Sequence, residues 1–251
     1  QYLGGDCIMA NLYANLDGHV TSTTTAWSAA RDGTSGTANS SLNKNANGIS
    51  VYAVAAGRGT NYALTRTFMH FDTSGISGNV SMAKLYVRGF SLNAASVIAV
   101  KSDAFGGDGG TALSSADFNN ITGFSTGASL AGNATTYSSN GPFLTTGWSV
   151  AAYNNMGATA DLKSDMQTQT SVIICLMDYT NDYLNSTPGS TGTLSSGIAY
   201  SEMSGTGNDP YILYTEDAAS GYANDVMGVA TANIGEVLGV ATANIGKVIG
   251  V

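Results

Sequence analysis

Leu64-Thr65-Arg66-Thr67-Phe68-Met69-His70-Phe71 runs into Asp72-Thr73-Ser74-Gly75, and the chain resumes with Val80-Ser81-Met82-Ala83-Lys84-Leu85-Tyr86-Val87-Arg88-Gly89-Phe90. Two segments of strand length, rich in aromatic and β-branched residues, flank a tetrapeptide of turn formers, which predicts an antiparallel pair. In the second segment, period two puts Val80, Met82, Lys84, Tyr86 and Arg88 on one face and Ala83, Leu85, Val87 and Gly89 on the other. One apolar face and one mixed face describe a strand that covers a core on one side only.

Outward from this pair, further strands are expected at 49–57 (ISVYAVAAG), 97–102, 170–179, 198–205 and 210–216. SVIICLM within 170–179 has no polar interruption, the pattern of a strand buried on both faces. Turn-forming residues dominate 21–48, which reads as loops and short edge strands with Asp32-Gly33 and Asn47-Gly48 as tight-turn signals, and 106–110, 125–141 and 180–197, which read as loops. One short helix is expected around 160–166, and Ser115 is placed to cap a single helical turn. Residues 1–19 carry no clear element. The expected fold is all-β, an antiparallel jelly-roll-like β-sandwich over 20–216, preceded by an N-terminal segment (1–19) and followed by a linker and repetitive assembly tail (217–251).

That tail repeats with a period of 11: VMGVATANIGE, VLGVATANIGK, then VIGV. An 11-residue period suits a right-handed helical supercoil. Val, Ile, Thr, Asn and Gly are weak helix formers, however, so short strands (VLGVA, VIGV) joined by turns at Thr-Ala-Asn are favoured. A small apolar repeat cannot bury itself and must dock on something. Val226, Val229, Ile234, Val237, Leu238, Val240, Ile245, Val248, Ile249 and Val251 are the residues expected to carry assembly.

Composition narrows function. Charged residues are 10% of the chain, against about 25% in typical globular domains. Net charge is −8 and the nine Lys and Arg are scattered, so no phosphate-binding stripe forms and nucleic acid is not an expected partner. No run of 18 apolar residues predicts a membrane span, and no signal-peptide pattern opens the chain, where Met9-Ala10-Asn11 reads like an open-frame start. Cys175 is expected as a buried thiol, and a Cys7–Cys175 disulfide has no support from spacing.

Chemistry-bearing motifs are sparse. His19 and His70 have no metal-ligand spacing, and His70 reads as a half-exposed strand histidine. No G-x-S-x-G or Walker motif occurs, and no catalytic role is expected. Asp178 and Asp182, bracketing Tyr179-Thr180-Asn181 and followed by Tyr183, form the one cluster suited to a sugar or a calcium ion: carboxylates accept from hydroxyls or ligate hard cations, and a tyrosine ring stacks on a sugar. The plain alternative is a polar turn closing a strand. Asp103 and Asp108, beside the GGDGG loop, invite the same two readings. Among Trp27, Trp148, Tyr137 and Tyr183, only Tyr183 lies in a polar loop and is expected to offer an aromatic platform.

The stretch Arg66-Thr67-Phe68-Met69-His70-Phe71-Asp72-Thr73-Ser74-Gly75-Ile76 with Ser81-Met82-Ala83-Lys84-Leu85-Tyr86-Val87 resembles the core of the DNRLRE-type β-sandwich modules. Tyr200-Ser201-Glu202-Met203-Ser204-Gly205 with Asp209-Pro210-Tyr211 resembles their closing strand pair, although the string that names the family is absent. The resemblance implies a jelly-roll-like sandwich related to carbohydrate-binding modules, found on secreted proteins and phage particles. The tail repeat is similar to segments of tailed-phage virion proteins. Together they imply a virion structural protein — an appendage, fibre or capsid-decorating protein — on the particle surface, joined to other virion proteins or to copies of itself and facing a cell-surface glycan. The alternative expectation is a self-assembling subunit of a bacterial or archaeal extracellular filament.

Overall fold

In the computed structural model of the chain, residues 7–40, 46–56, 59–93, 95–139, 147–189, 192–201, 205–217, 236–237 and 240–241 are described. Strands dominate and every pairing between them is antiparallel: β1 (Cys7–Tyr13), β2 (Leu16–Thr24), β3 (Thr37–Asn39), β4 (Ala46–Ala56), β5 (Gly59–Asp72), β6 (Asn79–Asn93), β7 (Val97–Lys101), β8 (Tyr153–Gly157), β9 (Ser171–Asp178), β10 (Gly192–Ile198) and β11 (Tyr211–Asp217). The all-β expectation holds. Two helices join them, α1 (Trp27–Arg31) and α2 (Ala160–Thr168).

The two longest strands organise the rest. β6 pairs with β11 and β8 along its first part, and β11 carries β1, giving one layer. β5 pairs with β2 on one side and with β4 and then β9 on the other; β3, β10 and β7 extend this second layer. At Gly89 and Leu92 β6 turns to pair with β10, so the layers are one folded sheet, sandwich-like in section. Between them lies a core built by Leu85, Val87 and Ile212 from the first layer and Met69, Phe71, Ile174 and Leu176 from the second.

The second layer is buried on its other face too. Leu64, Phe68, Ile173, Cys175 and Met177 point away from the first core into a second one, roofed by Trp27 of α1 and by Phe105, Phe118, Ile121 and Leu130 from turn-rich chain. That double burial is why the run from Val172 to Met177 is apolar throughout: Val172, Ile174 and Leu176 face one core, Ile173, Cys175 and Met177 the other. Cys175 is a buried free thiol, as expected.

Several expectations are corrected. Residues 7–19, read as carrying no clear element, are integral to the sheet, as β1 and the start of β2. Val80 lies on the buried side with Ala83, Leu85 and Val87, because the ladder slips at Ser81: Thr215 pairs with Met82 and the next residue, Glu216, with Val80. Asn47-Gly48 is within β4, not in a turn; a Cβ at Gly48 would strike the Tyr200 hydroxyl and Thr67. The strand expected at 198–205 lies earlier, as β10, which but for Ile198 falls in the stretch read as loop; Ala199–Ser201 are not strand. The α1 helix was also read as loop. The expected helix is present as α2, where Thr159 Oγ1 accepts from the Leu162 N–H at 3.3 Å and Leu162 and Met166 share the buried face. The expected one-turn helix is a 3-10 turn at Ser115–Asn119, preceded by Ser114, whose N–H donates to Asp117 Oδ2 at 2.8 Å.

In the tail, Glu236–Val237 (β12) pairs with Val240–Ala241 (β13), so VLGVA is not one strand: Val237 lies opposite Val240. Val226, Val229, Ile234, Leu238, Ile245, Val248, Ile249 and Val251 lie outside the described residues. No described helix is long and apolar enough to cross a membrane.

Candidate functional site

Asp178, Asp182 and Tyr183 come together, but not at the surface. β9 ends at Asp178, and a π-helical turn (Tyr179–Tyr183) folds back over the second core. Asp178 Oδ1 accepts from the Asn181 N–H at 2.6 Å, capping that turn. Asp182 is fully buried and grips Arg66 through two parallel hydrogen bonds of 2.7 Å, from Nε to Oδ2 and from Nη2 to Oδ1. Arg66 also donates to the carbonyls of Phe118 (2.7 Å) and Arg31 (2.9 Å), and lies 4.2 Å over the Phe118 ring. Arg31, equally buried, donates to the Asp182 carbonyl at 3.2 Å and the Ser125 carbonyl at 2.6 Å. Tyr183 is buried and stacks on Tyr179 at 5.6 Å.

The expected exposed platform is therefore corrected. These residues bolt the roof of turns onto the sheet: a bidentate ion pair, satisfied on both sides, replaces water in a dry interior. No sugar ring reaches a tyrosine or carboxylate so enclosed. Burial pushes the Asp178 carboxyl up to about 6; the Asn181 N–H opposes the rise, and the neighbouring Asp182 adds to it. Trp27, Trp148 and Tyr137 are core residues as well.

His70 is buried rather than half-exposed. Its Nδ1 meets Asn15 Oδ1 at 2.5 Å and its Nε2 the Asp108 carbonyl at 3.0 Å, so it ties β5 to the GGDGG loop. Burial holds it below the usual histidine range, with the Asp108 carbonyl opposing. Among the described residues, no three His, Cys, Asp or Glu side chains converge as a metal site would require. A cleft of about 130 Å³ lined by Lys101, Asp103, Tyr137 and Asp165 contains the Lys101–Asp165 ion pair (2.9 Å) and is small beside the few hundred Å³ of ordinary ligand pockets.

The chemistry that does face outward is on the first layer. Tyr13, Tyr211 and Tyr86 are directly opposite one another across β1, β11 and β6, and Tyr153 enters from β8. Tyr86 and Tyr211 are stacked at 4.8 Å with ring planes 4° apart; Tyr153 meets Tyr211 edge-on at 5.1 Å, and Tyr13 is tilted against it at 5.6 Å. Each tyrosine alternates with a core residue: Leu12, Ile212, Leu85 and Val87, and Met156 define the inner face of the same strands. Burial pushes the Tyr153 hydroxyl up to about 12, the nearby Tyr211 and Asp209 adding to it, and it donates to the Asp209 carbonyl at 3.0 Å. Such a face offers neutral rings and hydroxyls to a planar or polyhydroxylated partner. It was not singled out from sequence because its four tyrosines come from four separate segments; the outward parity of Tyr86 was the one visible signal.

At the edge of this layer β1 pairs only with β11 among the described strands. Ile8, Met9 and Tyr13, three of the seven large hydrophobic side chains left exposed among the described residues, lie in it. No family model matches the chain, and no curated protein matches it.

Proposed function

We propose that the chain is a non-catalytic structural protein of a phage virion, an appendage, fibre or capsid-decorating protein on the particle surface. Its body, read as a jelly-roll-like module, faces outward, and its C-terminal repeat joins it to other virion proteins or to copies of itself. The observation that carries this reading is the pairing of a charge-poor β-body with an apolar 11-residue repeat that follows β11. Within this reading, host-glycan contact falls to the tyrosine face of β1, β11, β6 and β8, since Asp178, Asp182 and Tyr183 are enclosed.

Deleting 226–251 tests the reading. The expected product is a folded, soluble monomer that no longer enters particles; undiminished incorporation would refute an anchoring tail. The second reading, a self-assembling filament subunit, is favoured by the edge of β1, which no other described strand than β11 pairs with, and long uniform fibres of the purified protein in negative stain would select it.

A further inference from the structure

We infer that β1 is the acceptor strand for the apolar repeat of a second copy, which adds beside it as a fifth strand of the first layer. This rests on the assembly reading above and names where the repeat goes.

The backbone defines the acceptor. Ala14 N–H donates to the Pro210 carbonyl at 2.9 Å, and Asn15 N–H turns the other way to the His70 carbonyl at 3.1 Å. Alternation then points the N–H and C=O groups of Leu12, Ala10 and Ile8 towards β11, and those of Asn11, Met9 and Cys7 outward. Protein edges are ordinarily blunted by lysine, proline, a bulge or a covering loop. CIMANLY contains neither charge nor proline, and its register with β11 is unbroken over seven pairs. Ile8 is 56% and Met9 67% exposed, so a docked strand would bury apolar side chains as well as satisfy the ladder.

The occupant follows from where the tail leaves. Asp217, the last residue of β11, is opposite Cys7, so the tail departs one strand spacing from this edge. Thirty-four residues follow it, and they include the first copy of the repeat, whose seven-residue run V-M-G-V-A-T-A (226–232) matches β1 in length; in the second copy Val237 is already paired with Val240. Ile8 and Met9 are each more than half exposed, which is the apolar surface a strand from a second copy would cover. A reciprocal exchange of tails covers both edges at once and closes a dimer, whereas one-way donation extends a fibre.

Two full-length variants test this. Met9→Pro removes an outward N–H without touching the bonds to β11, and should spoil the acceptor while leaving the donor intact. Val229→Asp with Val240→Asp should spoil the donor and leave β1 intact. Circular dichroism and the thermal midpoint of each are compared with wild type, and variants that keep both are run in sedimentation velocity. If Met9→Pro does not fold, Asn11→Pro, which also removes an outward N–H, takes its place. Wild type is expected to sediment as a multimer, each variant alone as a monomer, and an equimolar mixture as a 1:1 heterodimer, because the intact tail of one meets the intact edge of the other. A monomeric wild type, a proline variant that still self-associates, or a folded mixture that stays monomeric would overturn the acceptor role of β1. Self-association of the aspartate variant would instead overturn the assembly reading of the tail.

Discussion

Arg66 and Asp182 are 116 positions apart and together hold the roof on the second layer. Removing one partner leaves an uncompensated charge in a dry site, which typically costs 3–5 kcal/mol. Arg66→Met is therefore expected to lower stability by about 4 kcal/mol in urea unfolding, and adding Asp182→Leu should restore part of it. Tyr183→Ala is expected to behave as a core deletion, about 3 kcal/mol, rather than as a loss of ligand contact. Asp178 supplies a pH signature. Its carboxyl titrates near 6 in the fold and near 3.8 when unfolded, so below pH 4 it is neutral in both states. Between about pH 4 and 6 only the unfolded chain ionises, so stability is lost as pH rises through that window, by roughly 2–3 kcal/mol. Asp178→Asn retains the cap acceptor and loses this pH dependence. Its midpoint relative to wild type should climb from pH 4 to pH 7, and a constant offset would show that Asp178 is not the source.

Among elements, β6 has the most demanding course. The bulge at Ser81 turns Val80 inward, and Gly89 lets the strand cross from one layer towards β10. A Cβ at Gly89 would run into the Ser149 carbonyl and the Asn154 amide, both of them backed by neighbouring chain. Gly89→Ala should cost 2 kcal/mol or more, roughly, through overpacking against backbone. Thermal unfolding reads this directly, and a midpoint within a degree of wild type would place the crossing elsewhere. The strands of high apolar content were legible: β5, β6, β7, β9 and β11 stand where pattern placed them, as does α2. β1, β2 and β10 were not. CIMANLY and GTLSSGI carry weak alternation, and they are strands because a long neighbour offers them a ladder.

For the molecule as a whole, one sheet folded over itself leaves its second layer covered twice, which spends nearly all the large apolar side chains of the body. Among the described residues, what remains outward includes the tyrosine face and the edge of β1. Tyr211→Ala removes the ring that the other three contact, and should abolish retention on a glycan array while leaving the sedimentation of the full chain unchanged; undiminished retention would remove this face from the glycan reading. The amino-acid order was enough to establish the all-β class, the doubly buried strand, the short helix and the repeat, because strand periodicity and continuous hydrophobicity are local and survive without knowledge of neighbours. Pairing partners belong to the folded chain alone. Whether Asp182 meets water or two arginines, and whether four tyrosines from distant segments become one face, depends on register and layer, which join residues more than a hundred positions apart.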